Sequence, residues 1–517
     1  MQQLVSARSK KIGLSAVVGL SLSIAPLQNI SALDSAQNYE LAIVNVKIVS
    51  PERAKLLESS VVLIRDGSIA SIEAIGSAFT AETIIDGAGK YLIPGLIDSH
   101  VHLYHATGLK RRYSDQFDVL YASYMAQMPR SYLYHGFTTV IETNADAQTN
   151  RRFTSAAPRP DLEHCGAGLI LSDGYMASEI PDGELLNHAP NFLHDRFRDG
   201  YLPTGVDPEH HTPKATVAKI AESGAACVKL YYEEALWMPG GPPDIKLPTR
   251  EIVSEVVQEA HRRGLSVIMH ATSPKGHAFA VAAGVDIISH GPWDWAGNNY
   301  ADPQIPARIQ DNLIATAASG VSIQPTISSI QHTASLFKPA SLDDPALTHV
   351  LPSDYITYLQ TDAQVQREIF LGIFGPLLGP EPTAEKIASL QANFIRRYKR
   401  MVGMFAANGG KLLLGTDTSS GGFGWGNPPG LNGYWEMKDW VESGVPLRAV
   451  FAAATINNAK AFGLSAEIGT IEVGKRANLL LLESNPLETV EAYDTIETVI
   501  VGGQAISRGM LSAKAER

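Results

Sequence analysis

The chain has 517 residues, of which 45% are hydrophobic and only 18% charged. That charge fraction lies below the roughly 25% of an average soluble domain, so a large buried core is expected and a mostly disordered chain is excluded. A formal net charge of −11 argues against general nucleic-acid binding, and two cysteines can supply neither a disulfide framework nor a cysteine-rich zinc module.

Residues 1–32 read as a secretory signal peptide. Arg8, Lys10 and Lys11 form a positive start, residues 12–24 an apolar run, Pro26 a break, and Ile30-Ser31-Ala32 a small-residue cleavage site. The run falls short of the roughly 20 residues that span a bilayer. An exported protein is predicted, periplasmic or extracellular, with no membrane attachment once the segment is removed. Loss of the three basic side chains moves the net charge of the mature chain from −11 to −14.

Residues 33–93 carry β-rich runs at 41–49 and 60–64, and Asp66-Gly67 is a hairpin-turn signal before Ser68. A similar block returns within 466–517, with runs at 477–482 and 498–501 and a turn at Gly502-Gly503. Together the two blocks predict one small β-sandwich domain assembled from both ends of the chain. Residues 94–465 alternate short apolar runs with helical patterns. Strands are expected at 95–102, 138–142, 167–171, 226–231, 266–270, 286–290, 321–325 and 411–417, and a helix at 251–263 stopped by Gly264. Eight strands with crossover helices predict an α/β fold of the (β/α)8 TIM-barrel type. Residues about 330–400 exceed a normal connection and contain helical patterns, such as 383–406, so a helical insertion or lid is expected there.

Five of the expected strands carry a group that can ligate a metal or be made to. His100 and His102 close the first strand, Lys229 lies on the fourth, His270 ends the fifth, His290 the sixth and Asp417 the eighth. Alternate strand residues point the same way, so His100 and His102 can present two imidazoles inward together. In such barrels the C-terminal strand ends form the active face. Imidazole and carboxylate suit zinc, manganese, nickel or cobalt, and the lack of thiolate argues against copper(I) and iron–sulfur clusters. Each histidine alone would more often be a satisfied core residue; their joint occurrence at strand ends favours the metal reading. His210-His211, in a polar proline-flanked loop, is expected to be solvated, and His277 to have a surface role. Cys227 should face inward beside Lys229 as a small buried hydrophobe. Gly421-Gly422-Phe423-Gly424 follows no phosphate-binding pattern and reads as a flexible rim. His105, Trp237, Trp293, Trp295 and Trp425 fall on loops that rim the active face, and Tyr231 points the same way as Lys229. They predict a partly aromatic pocket, against the simpler reading that the rings pack lid on barrel.

The run Tyr91-Leu92-Ile93-Pro94-Gly95-Leu96-Ile97-Asp98-Ser99-His100-Val101-His102 resembles the opening motif of the amidohydrolase superfamily. Further matches are Gly284-Val285-Asp286-Ile287-Ile288-Ser289-His290-Gly291, Leu414-Gly415-Thr416-Asp417, residues 454–460, and residues 469–478, where Asn478 stands in place of the usual Asp. The chain is most similar to the imidazolonepropionase-related and prolidase-like branch. The resemblance implies two divalent metal ions, with zinc the expected element. His100, His102 and Asp417 would hold one, His270 and His290 the other, and Lys229 would bridge them as an N-carboxylated lysine. It implies attack by a metal-bridging hydroxide on a carbonyl, with Asp417 as general base and then acid and Tyr231 hydrogen-bonded to the substrate carbonyl. The expected reaction is hydrolysis of an amide or peptide-like C–N bond in a small molecule, such as a dipeptide or N-acyl amino acid. The same site would also suit a lactone, ester or phosphotriester, because a hydroxide does not specify its electrophile. A non-catalytic binding protein on this fold is the reading from another class. The expected partner is a small-molecule substrate and not nucleic acid, and the sequence is compatible with a homo-oligomer.

Overall fold

The computed structural model describes residues 38–111, 114–181, 183–236, 245–331, 335–378, 383–419 and 425–515. The expected signal segment, Trp237 and the glycine-rich rim at 421–424 lie outside the described residues. In chain order the strands are β1 (Asn38–Ile48), β2 (Leu57–Arg65), β3 (Ser68–Ala74), β4 (Thr80–Asp86), β5 (Tyr91–Pro94), β6 (Leu96–Val101), β7 (Phe137–Glu142) and β8 (Asp161–His164). They continue as β9 (Cys227–Tyr232), β10 (Ser266–Ala271), β11 (Ile287–Ser289), β12 (Ser322–Gln324), β13 (Lys411–Leu412), β14 (Leu479–Leu482), β15 (Ile496–Val501) and β16 (Gln504–Ser507).

Both chain ends contribute to one eight-stranded sheet, ordered β16-β15-β14-β5-β1-β2-β3 with β4 also paired to β1. The four consecutive leucines of β14 follow from its place in that sheet. Leu479 and Leu481 join Leu41, Ile43 and Val62 in the core of the β domain, while Leu480 and Leu482 face the large core on the other side. A strand buried on both faces needs no polar alternation. The sheet curls until its ends touch: Ile69 N–H donates to Lys475 O and Ala477 N–H to Gly67 O, each at 2.8 Å. The hairpin turns at Asp66-Gly67 and Gly502-Gly503 meet there, and a Cβ on Gly503 would lie 3.1 Å from the Gly67 Cα. The strands from both chain ends thus form one curled sheet enclosing its own small core.

The middle of the chain forms eight parallel strands in two ladders, β6-β7-β8 and β9-β10-β11-β12-β13. Helix Pro213–Glu222 leads into the second ladder, and helices Arg250–Arg262, Pro274–Ala283 and Ala307–Ser319 separate its strands from β9 to β12. Thr212, Thr249 and Ser273 cap three of them with side-chain oxygens, which satisfies a free first-turn N–H in each case. The third strand corrects the expectation: it is β8 at 161–164, not 167–171. Its sequence Asp-Leu-Glu-His has too little apolar character to read as a strand. It holds its place by pairing with β7 and by contacts of Asp161 to Arg476 (3.2 Å) and Asn478 (2.8 Å).

Backbone hydrogen bonds cross both seams between the ladders. Ala226 N–H donates to His164 O (2.8 Å), Ser99 N–H to Leu414 O (2.9 Å), Asp417 N–H to His100 O (2.8 Å) and His102 N–H to Thr418 O (2.7 Å). At the β8–β9 seam Cys165 and Cys227 form a disulfide. Cys227 is thus a cross-link rather than a lone buried thiol. The expected lid is helical, with Ser353–Thr361, Gln364–Leu378 and a 24-residue helix Ala384–Ala407 capped by Thr383. Tyr355 Oη donates to Thr107 O (2.6 Å) and Tyr358 Oη to Gly108 O (3.0 Å), fixing the lid to the loop after His102. Among the described residues no helix is long and apolar enough to cross a membrane.

Candidate metal centre

The six expected ligands leave the strands at one end of the parallel ladders. His100 lies on β6, Lys229 on β9 and His270 on β10; His102, His290 and Asp417 follow directly or shortly after β6, β11 and β13. His290 (φ 75°), Thr326 (φ 57°) and Asp417 (φ 57°) occupy the left-handed region that non-glycine residues rarely adopt. Such conformations persist only where surrounding contacts over-determine them, and they gather at functional sites. Here the Asp417 and His290 N–H groups are each held by a carbonyl of the neighbouring strand, His100 O and Gln324 O.

His100, His102 and Asp417 bring one ligand atom each to within 4.8 Å of one another. Asp417 Oδ1 lies 3.0 Å from His102 Nε2 and 3.4 Å from His100 Nε2. Lys229 Nζ is 3.5 Å from His100 Nε2 and donates to Ser289 Oγ at 2.9 Å. The His270 and His290 rings sit edge to face at 4.6 Å, and His290 is 5.6 Å from His100. The structure therefore brings all six together, as a tight trio with Lys229 on one side and an imidazole pair beyond it.

The electrostatics suit a cation. Burial favours the neutral form of Asp417, but the His102 hydrogen bond and the charge of His100 outweigh it and hold the carboxyl well below its usual range. Burial likewise opposes charge on His102, yet hydrogen bonds to Asp417 and Glu142 push it up to about 9. Burial, aided by the charge of Lys229, keeps His100 well below the ordinary histidine value. Lys229 itself is pulled down to about 7 by burial, against the attraction of Asp417 and Glu142. A buried ionised carboxylate between two imidazoles, one of them kept neutral by burial, beside a lysine that sheds its proton near neutrality, is a donor set that fits divalent metal.

Several residues around this set escape a reading of the sequence. Glu142 is fully buried at the end of β7, accepts from Leu103 N–H and from Asn144 N–H (2.8 Å), and lies 3.6 Å from His102 Nδ1. Its signal was a carboxylate at the end of a buried strand. Glu233 lies 2.9 Å from His270 Nε2, and Thr326 Oγ1 lies 2.8 Å from His290 Nδ1. Beneath the centre Ser289 Oγ donates to Gln324 Oε1 (3.1 Å), and Gln324 Nε2 to Ser99 Oγ (2.8 Å), tying β11, β12 and β6 across the interior.

The outer rings are distributed differently from expectation. His105 packs on Tyr104 at 4.0 Å and lies 6.5 Å from His102; burial pulls it down to about 3. Tyr231 tilts against His270 at 6.0 Å, and Tyr175, which the sequence did not single out, stacks on the same ring at 5.6 Å. Trp425 and Trp295 are buried: Trp425 packs on Gly108 and Tyr358, and Trp295 beneath Arg397 at 4.6 Å. Trp293 meets the lid residue Phe394 edge-on at 5.9 Å. These tryptophans pack between the helical insertion and the loops that follow the parallel strands, and it is the tyrosines that stand against the histidines. His277 is fully buried, not superficial, and His211 is buried with Nδ1 at 2.9 Å from Phe192 O, while only His210 of that pair is exposed.

The sequence model of the amidohydrolase family matches residues 91–506. The chain belongs to the amidohydrolase family. Curated relatives match over short segments. A D-hydantoinase of Streptomyces coelicolor is 52% identical over 46 residues, 8% of this chain and 10% of that protein. An adenine deaminase of Clostridium perfringens is 33% identical over 103 residues, 20% of this chain and 15% of that protein. This amidohydrolase thus aligns with well under two thirds of either relative. Solved structures cover far more of it. A prolidase complexed with N-methylphosphonate-L-proline superposes with a TM-score of 0.62 at 21% identity, over 90% of this chain and 99% of that one. An Aspergillus niger ochratoxinase gives 0.60 at 19%, over 91% and 96%. At those identities the shared property is the fold.

Proposed function

We propose that this amidohydrolase is a metal-dependent hydrolase that cleaves a C–N bond, amide or peptide-like, in a small substrate. The observation that carries the reading is the trio of His100, His102 and Asp417 within 4.8 Å, with Lys229 3.5 Å from His100. The seam hydrogen bonds and the fold shared with the solved structures support reading the two ladders as one closed (β/α)8 barrel, with the curled sheet as its sandwich-like companion. His100, His102 and Asp417 would hold one divalent ion, and His270 and His290 a second. The low proton affinity of Lys229 would leave its amine free to take up carbon dioxide, and as a carbamate it would add a carboxylate oxygen to the ligand set. Zinc suits this imidazole and carboxylate set. When bound, the ions supply Lewis acidity that lowers the pKa of a water and polarises the scissile carbonyl.

The protein's own groups do the rest. Asp417, ionised and facing both imidazoles of the trio, accepts the proton of the attacking water and returns it to the leaving nitrogen. The Tyr231 phenol, kept protonated by burial and the neighbouring Tyr104 and Glu142, would donate to the substrate carbonyl. Tyr104, Tyr175 and Tyr231 favour a substrate with an apolar or aromatic group, such as a dipeptide or N-acyl amino acid. Export is supported by the signal-like leader and by the Cys165–Cys227 disulfide, since such bonds persist in oxidising compartments.

The test is metal analysis of protein purified without chelator, followed by a turnover screen of dipeptides, N-acyl amino acids, lactones and phosphotriesters. At least one equivalent of transition metal and turnover confined to C–N substrates are expected. Less than half an equivalent, or turnover of lactones or phosphotriesters alone, would overturn the proposal.

A further inference from the structure

Glu233 is a buried carboxylate with no lysine or arginine among its partners in the described residues; its one basic neighbour is His270. Its side chain is 1% exposed. Oε1 accepts the Ala235 N–H at 2.5 Å, and Oε2 accepts the Thr272 hydroxyl at 2.7 Å and faces His270 Nε2 at 2.9 Å. Among the described residues these are its hydrogen-bond and ion-pair partners, and none is a lysine or arginine. The neighbouring Glu234 behaves in the ordinary way: it meets Lys275 at 3.0 Å and Ser273 Oγ at 2.6 Å near the surface. An isolated buried carboxylate is costly unless paired with positive charge. The backbone also adopts a left-handed turn at Ala235 (φ 50°) that brings its N–H back to Glu233.

The partners of Glu233 are all accounted for inward, so both oxygens are used and the group is not placed to ligate a metal itself. What it does fix is the tautomer of His270. A carboxylate acceptor at Nε2 calls for a proton there, and in the neutral ring that a metal needs the lone pair is then on Nδ1. At His290 the hydrogen bond is instead at Nδ1, with the Thr326 hydroxyl, and Nε2 is the nitrogen left over. The two adjacent rings thus keep different nitrogens clear of these partners.

We propose that Glu233 is a positioning residue for the second metal ion, the one that His270 and His290 would hold: it orients His270 through Nε2–H, and the bound cation in turn compensates its buried charge. This rests on the metal-dependent reading above. It predicts that Glu233 helps the metalated protein and burdens the metal-free one, a split that a purely structural carboxylate would not produce.

The experiment uses the full chain, stripped with chelator and reloaded with zinc, comparing wild type, Glu233→Gln and the surface control Glu234→Gln. In E233Q the affinity of one zinc, read by competition with a chromophoric chelator, is expected to fall about 10- to 100-fold. The Tm of the stripped protein is expected to stay unchanged or rise, and E234Q to match wild type in both. Wild-type zinc affinity in E233Q overturns the proposal, as does an equal loss of Tm with and without zinc. Wild-type protein that takes up less than half an equivalent overturns the metal reading itself, so the two failures are distinguishable. Should E233Q not fold, nitrogen-15 histidine spectra of wild type decide the matter, with the His270 signal assigned by its loss in His270→Asn. An Nε2–H tautomer supports the proposal and an Nδ1–H tautomer overturns it.

Discussion

Lys229 and Tyr231 sit two residues apart on β9, so their side chains emerge on one face, and the two are expected to fail differently when altered. Lys229→Ala removes the group between trio and pair; activity should drop at least about 100-fold together with the metal content, measured by turnover and elemental analysis. Tyr231→Phe deletes only a hydroxyl. Turnover should fall about 100-fold, the cost typical of one lost donor to a developing oxyanion, with metal content unchanged. Unchanged turnover in either variant refutes the role assigned to it. The clustering of the strand-end histidines with Asp417 was legible because a period of two, ended by His or Asp, is a local pattern that survives without knowledge of the fold. Glu142, Glu233 and Thr326 were not, because each acts on a histidine from another strand or loop, and nothing near them in sequence marks that partner. The tryptophans misled for a related reason: a loop position says that a ring is near the rim, not whether the lid has already covered it.

At the scale of elements, two contacts give sharp expectations. Asn478 stands where the resembling proteins usually carry Asp. Its amide donates to Asp161 on β8 (2.8 Å) and its oxygen accepts the Gly502 N–H (2.9 Å), joining the edge of the first parallel ladder to the β domain. Asn478→Asp would set two carboxylates against each other, and a loss of about 1–3 kcal/mol is expected by denaturant titration. Helix Leu431–Glu442 buries Glu436, which accepts from Ser328 N–H and Trp440 Nε1–H, each at 2.7 Å. Burial pushes its carboxyl up to about 7 from 4.5. The folded state therefore holds an extra proton between those values, and stability contributed by Glu436 is full below 4.5 and lost as pH rises toward 7. Unfolding midpoints at pH 5 and pH 8 should show wild type losing on the order of 3 kcal/mol more than Glu436→Gln across that window. Equal pH dependence in the two proteins would refute this. The helices themselves were read well where a cap marks them, as at Thr249 and Thr383. The polar strand β8 was missed because its pairing is decided by β7 and by Arg476 and Asn478, which are far away in the chain.

For the whole molecule, the seam between the two parallel ladders is closed by few hydrogen bonds and one cross-link. The Cys165–Cys227 bond spans a sequence separation of 62. By loop-closure arguments its removal through a Cys165→Ala, Cys227→Ala double variant should cost about 4 kcal/mol, read as a lower denaturation midpoint. A wild-type midpoint indifferent to reductant would show that the two thiols are unlinked. Two cysteines correctly excluded a disulfide framework, but their count carried no information about one bond, because only the fold brings β8 and β9 side by side. The curled sheet has a further consequence in time. Strand β5 pairs on one side with β1 and on the other with β14, whose residues are made almost 400 positions later. At roughly 5–20 residues per second, the first five strands wait on the order of half a minute for their partner. Until translation is nearly complete they remain an open edge, and a nascent chain of this design stays incompletely folded over the interval in which a secretion machinery would have to engage it.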